Sequence, residues 1–138
     1  MKESNSKELV QTNEDIWQVE IPIINLIAPI EEGTTQEIML EFVGHFENTS
    51  TWDGNIGLAA HNRGYPINYF SRLKELKYGD EIIYKTEFGI KMYIVEIIEI
   101  IEDTNWSYLQ NTNDNRITLI TCVENQPNLR LCIQGIEI

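Results

Sequence analysis

The chain has 138 residues, of which 22 are acidic and 10 basic, for a net charge of −12. That length fits one domain able to bury about two-thirds of its unfolded surface without disulfides or metal. The acidic balance, with no cluster of Lys and Arg, argues against binding nucleic acid or anionic lipid headgroups. No run of apolar residues is long enough for a spanning helix, and the polar start Met1-Lys2-Glu3-Ser4 lacks the apolar stretch of a signal peptide.

Residues 1–15 are polar and aperiodic and read as a flexible tail, which leaves 16–138 as the folded domain. From there the punctuation is that of a β protein. Residues 19–26 form a β-rich run with Pro22 inside it, the mark of an edge strand or a bulge. A turn-like Glu31-Glu32-Gly33-Thr34-Thr35 precedes a short strand candidate at 39–43, and 55–60 is another. Phe70, Leu73 and Leu76 recur at a spacing that predicts a helix over 67–76, ended by Tyr78-Gly79-Asp80. Residues 81–86 and 90–101 read as a hairpin around Glu87-Phe88-Gly89. Alternation along the second of these puts Ile94, Glu96, Ile98 and Ile100 on one face and Val95, Ile97, Glu99 and Ile101 on the other. The Asn-, Asp- and Thr-rich stretch 103–115 is a loop long enough to suspect of function, with Trp106 and Tyr108 either lining a groove or pinning it. Two last strands, 116–123 and 129–136, flank Glu124-Asn125-Gln126-Pro127-Asn128. Many short strands with one helix predict a mainly antiparallel barrel or sandwich.

Two cysteines make neither a disulfide framework nor a zinc site, but a Cys with a His elsewhere is a candidate catalytic pair. Strand alternation places Thr118, Ile120 and Cys122 on one face, and Arg130, Cys132 and Gln134 on one face. A hairpin mouth thus brings a thiol and a guanidinium together. A free thiol has a pKa near ~8.5, and a nearby cation favours the attacking thiolate. Arginine stays charged and offers forked donors, so it can hold an oxyanion but cannot act as a base. Two histidines compete for the proton-transfer role. Both His45 and His61 sit near strand ends, and placement alone favours His61 only slightly. Cys132, between Leu131 and Ile133, reads as a core thiol, and a Cys122–Cys132 disulfide would silence the nucleophile. Glu31, Glu32, Glu47 and the 103–115 loop lack the spacing of a calcium loop and read as a solvated acidic face.

The segment Ile117-Thr118-Leu119-Ile120-Thr121-Cys122 resembles the sortase signature TLxTC, whose cysteine is the nucleophile. Arg130, in Asn128-Leu129-Arg130-Leu131, takes the place of the sortase arginine. Gly57-Leu58-Ala59-Ala60-His61-Asn62 is similar to the small residues that lead into the catalytic histidine, with Ala60 where many members have Gly. Val19-Glu20-Ile21-Pro22, Ala28-Pro29-Ile30 and Val43-Gly44-His45 resemble the family's opening segments, in which the earlier histidine is not catalytic. The resemblance runs from Trp17 to the C-terminus and looks most like class D. It implies a closed β-barrel of about eight strands with one or two short helices. It further implies Cys122, His61 and Arg130 as the catalytic set, no cofactor and no metal. The expected donor is an LPxTG-like sorting signal cut after Thr, and the expected acceptor a cell-wall precursor or pilin amine. Members are held on the outer face of a Gram-positive membrane by an N-terminal helix, so the expectation is an anchor trimmed from this chain. Three rivals are set beside it. An L,D-transpeptidase is disfavoured because Cys122 follows Ile120-Thr121 rather than a His-Gly pair. A peptidase releasing products to water and a non-catalytic binding module are separable by assay.

Overall fold

The computed structural model describes residues 16–138; the expected tail, 1–15, lies outside the described residues. Eight strands close into a barrel: β1 (Gln18–Ile21), β2 (Leu26–Glu32), β3 (Val43–His45), β4 (Asn55–Ala59), β5 (Glu81–Thr86), β6 (Gly89–Glu102), β7 (Arg116–Val123) and β8 (Gln126–Glu137). Their order around the barrel is β1-β2-β3-β4-β7-β8-β6-β5. The pairings are antiparallel except β2 with β3 and β4 with β7. Closure leaves no edge, so the edge strand or bulge expected at Pro22 is not found. Pro22 instead opens a 3-10 turn (Pro22–Ile24), a position where its missing N–H costs nothing. Asn25 then adopts the left-handed conformation (φ 54°) and reverses the chain into β2.

Three other local expectations are corrected. The strand predicted at 39–43 is confined to Val43–His45, and Met39 ends the short helix α1 (Gln36–Met39), whose first turn is capped by the Thr35 hydroxyl accepting from Ile38 N–H. The helix predicted over 67–76 is a series of turns with one 3-10 turn, Leu73–Glu75. Its hydrogen bonds, Ser71 N–H to Asn68 O, Leu73 N–H to Phe70 O and Leu76 N–H to Leu73 O, all close over three residues. The strict spacing of Phe70, Leu73 and Leu76, all buried, matches three residues per turn rather than 3.6. In β6 a bulge between Val95 and Ile97 adds one residue, Glu96, so Val95 and Ile97 point to opposite faces. Val95 faces the barrel core, while Ile97, Glu99 and Ile101 face outward opposite Gln134, Cys132 and Arg130.

The interior is filled by Val19, Ile21, Ile56, Leu58, Ile82, Tyr84, Tyr93, Ile117, Leu119 and Ile133, all fully buried. A second, smaller cluster lies on the outer face: Ala59, Ile101, Ile120 and Cys132, roofed by Met39, Phe46, Tyr108 and Leu109. This outer cluster explains why β7 is buried on both faces, and its roof forms one wall of the cleft described next.

Candidate active site

Cys122 ends the regular pairing of β7, and its direct cross-strand partner is Arg130. Beyond that pair the register jumps to Val123 opposite Gln126, which makes Pro127, Asn128 and Leu129 a bulge in β8. Pro127 has no N–H for the ladder, which suits it to a bulge, and Arg130 is the first residue of β8 after it to pair regularly with β7. The expected five-residue connection is therefore only Glu124-Asn125, with Asn125 at φ 64°. Arg130 Nη1 donates to the carbonyls of Pro127 (3.0 Å) and Leu129 (2.8 Å). Among the described residues its Nε and Nη2 have no protein partner, so those donors remain for a ligand. Cys122 is exposed and unbridged.

His61 arrives from the neighbouring strand. β4 and β7 run parallel with Ala59 opposite Ile120. The pairing continues irregularly, through Thr121 Oγ1 donating to Ala60 O (2.8 Å) and Asn62 Nδ2 donating to Cys122 O (3.1 Å). An ion pair between Arg63 and Glu124 straps the same loop to the β7–β8 turn. His61 and Cys122 are thus carried on adjacent, cross-linked strand ends. Burial pushes the His61 ring below the usual histidine pKa, because desolvation disfavours the imidazolium. Its Nε2 is buried with no hydrogen-bond partner. The ring lies stacked on Tyr65, with centroids 3.7 Å apart and planes 10° from parallel.

His61, Cys122 and Arg130 line one cleft of about 420 Å³. Its floor is the small pair Ala59-Ala60 with Ile120, and its far wall is Trp106, Leu109 and Phe46. Trp106 stands edge-on to Phe46 at 6.4 Å and is 60 % exposed, so it belongs to the groove. Tyr108 does the pinning. Its carbonyl accepts from Asn55 Nδ2 (2.9 Å) and Gln134 Nε2 (3.1 Å), and Asn55 also donates to Gln110 O (2.9 Å). Thr118 Oγ1 donates to Asn55 Oδ1 (2.7 Å) and accepts from Gln134 Nε2 (3.0 Å). A buried amide–hydroxyl network thereby holds the 103–115 loop against the barrel.

The other histidine is placed apart from this cleft. His45 is 1 % exposed and held on both ring nitrogens: Nδ1 against the Glu32 carboxylate (3.0 Å), Nε2 against Ser50 O (2.7 Å). Cys132 lies diagonal to Cys122 on the same face and is fully buried. Burial, followed by the nearby Glu99, pushes its thiol up to about 12.

The sequence assigns no role to Asn62, Arg63, Tyr65 or the Asn55–Thr118–Gln134 network. Only the alternation that put Thr118 and Gln134 on the face of Cys122 and Arg130 hinted at any of them.

The sortase domain model matches residues 19–137. The chain is 30% identical over 115 residues to sortase A of Bacillus anthracis and 32% identical over 108 residues to sortase D of Bacillus subtilis, covering 82% and 75% of this chain. It spans about half the length of these curated relatives, 54% and 52%. Among solved structures, the pilus-related sortase C of Group B Streptococcus superposes with a TM-score of 0.84 at 30% identity, covering 91% of this chain and 68% of that one. The chain belongs to the sortase family.

Proposed function

We propose that this chain is the catalytic domain of a cysteine transpeptidase that cuts an LPxTG-like sorting signal after Thr and joins the product to a cell-wall or pilin amine. The observation that carries the reading is the register: Cys122 is paired directly with Arg130, on a strand end tied to that of His61. In the proposed reaction the Cys122 thiol gives its proton to His61, whose neutral form burial favours, and the sulfur attacks the Thr carbonyl carbon. The free Arg130 donors hold the tetrahedral oxyanion. The C–N bond breaks as His61 passes its proton to the departing amine, leaving a thioester on Cys122. An incoming amine loses a proton to His61, attacks the thioester carbonyl and displaces Cys122 as the thiol. Protons balance over the cycle, and the route uses no cofactor. The groove between Ala59-Ala60 and Trp106 suits an extended peptide.

The short Cys122-to-Arg130 connection supports a class D-like assignment, beside relatives named sortase A and D and structures named sortase C. By analogy with the family, the enzyme works at the outer face of a Gram-positive membrane. The described residues contain no helix long and apolar enough to cross one. The test is mass spectrometry of an LPxTG-type peptide incubated with the protein and an added amine, with Cys122→Ala as control. A peptide–amine adduct that requires Cys122 is the expected result. Hydrolysis without adduct points to a peptidase, and cleavage surviving in Cys122→Ala refutes the mechanism.

A further inference from the structure

His61 and His45 differ in what holds their rings. His45 is gripped at both nitrogens by the Glu32 carboxylate and the Ser50 carbonyl. Among the described residues no hydrogen bond reaches the His61 ring, and its Nε2 is buried without a partner. A histidine that exchanges protons normally has its tautomer and ring plane set by a hydrogen bond to the second nitrogen. Without one, the broad torsion about the ring bond leaves the plane free to turn. What contacts His61 instead is an aromatic face: Tyr65, nearly parallel at 3.7 Å.

We propose that Tyr65 is the positioning residue of this site, clamping the His61 imidazole by stacking in place of the usual hydrogen-bonded partner. The inference rests on the reading of His61 as the proton-transfer residue. The clamp is itself held. Gly64 turns the chain at φ +88°, a conformation that disfavours a side chain, and Pro66 restricts the backbone on the other side. Asn68 Nδ2 donates to Tyr65 O at 2.6 Å. The Arg63–Glu124 ion pair and the Asn62 bond to the Cys122 carbonyl fasten the loop to the nucleophile's hairpin. The stack therefore references the imidazole plane to Cys122. It does so while leaving both ring nitrogens free of any permanent partner, as a group that must receive and release the same proton requires.

Three variants test this, Tyr65→Phe, Tyr65→Leu and Tyr65→Ala, with kcat and KM measured for Cys122-dependent amide formation and urea midpoints measured alongside. Loss of an aromatic stack at a proton-transfer group is expected to lower kcat about tenfold. Tyr65→Leu and Tyr65→Ala should show that loss in kcat, and Tyr65→Phe should keep wild-type kcat. Long-range 1H–15N spectra of the His61 ring should keep the wild-type tautomer pattern in Tyr65→Phe and lose it in Tyr65→Leu. Wild-type kcat and an unchanged ring spectrum in Tyr65→Leu would overturn the proposal, and because that variant keeps apolar bulk it remains decisive if Tyr65→Ala fails to fold. If the unaltered protein joins no sorting peptide to any amine, the transpeptidase reading fails, while the ring spectra still decide the role of Tyr65.

Discussion

Replacing Asn55 by Ala probes how the cleft wall is held. Asn55 is 1 % exposed and makes three hydrogen bonds, two as donor to Tyr108 O and Gln110 O and one as acceptor from Thr118 Oγ1. The consequences are unequal. Tyr108 O keeps its bond from Gln134, and the Thr118 hydroxyl can turn to Tyr108 O, already 3.3 Å away. Gln110 O belongs to an exposed residue and is open to water. No group is stranded outright, so the loss is the net worth of two to three bonds, about 2–3 kcal/mol, rather than a full desolvation penalty. Against a total stability of about 5–15 kcal/mol, that is readily measured by urea unfolding. Hydrogen exchange should quicken first at Leu109 and Gln110, whose amides close the 3-10 turn under Trp106. A change below about 1 kcal/mol with unaltered exchange in the loop would show that apolar packing of Tyr108 and Leu109, not the polar network, fixes the wall. Combining Asn55→Ala with Gln134→Ala should cost more than the sum of the two, because they share Tyr108 O.

Gly44→Ala should cost about 1–3 kcal/mol, since a Cβ there would lie 2.4 Å from Gly33 O, a backbone atom with little freedom to retreat. An unchanged melting temperature would refute that. A thiol reagent at neutral pH should label one cysteine per native chain, Cys122, because Cys132 is fully buried with its thiol pushed up to about 12. Peptide mapping that finds the label on Cys132 would contradict the burial argument. For the proposed reaction, burial holds His61 below the ordinary histidine pKa, so it gains its extra proton only at a lower pH than a free histidine does. Protonated His61 cannot take the thiol's proton, so kcat/KM should decline on the acid side with a midpoint below that of an ordinary histidine. A midpoint at or above the ordinary histidine value would refute the burial argument.

The β6 bulge and the 67–76 turns show where one-dimensional reading stopped. Alternation predicts faces correctly only while pairing is regular; the single extra residue Glu96 moves every later side chain of β6 to the other face. Apolar spacing of three fits both a helix and successive 3-10 turns over so short a stretch, and packing of Phe70, Leu73 and Leu76 on the core decided between them.

By itself the sequence determined the strand-rich class, the shared face of Thr118, Ile120 and Cys122, and the pairing of that face with Arg130, because period-two alternation and hairpin locality are properties of a few neighbouring residues. Its motifs marked Cys122, His61 and Arg130. Only the tertiary structure decided that His45 is locked while His61 is left without a hydrogen-bonded partner on its ring, and that Asn62 and Arg63 tie the loop after His61 to the Cys122 hairpin. Those contacts join segments about sixty residues apart across the parallel β4–β7 pair. They depend on how the closed barrel brings its strand ends together, which no local pattern encodes.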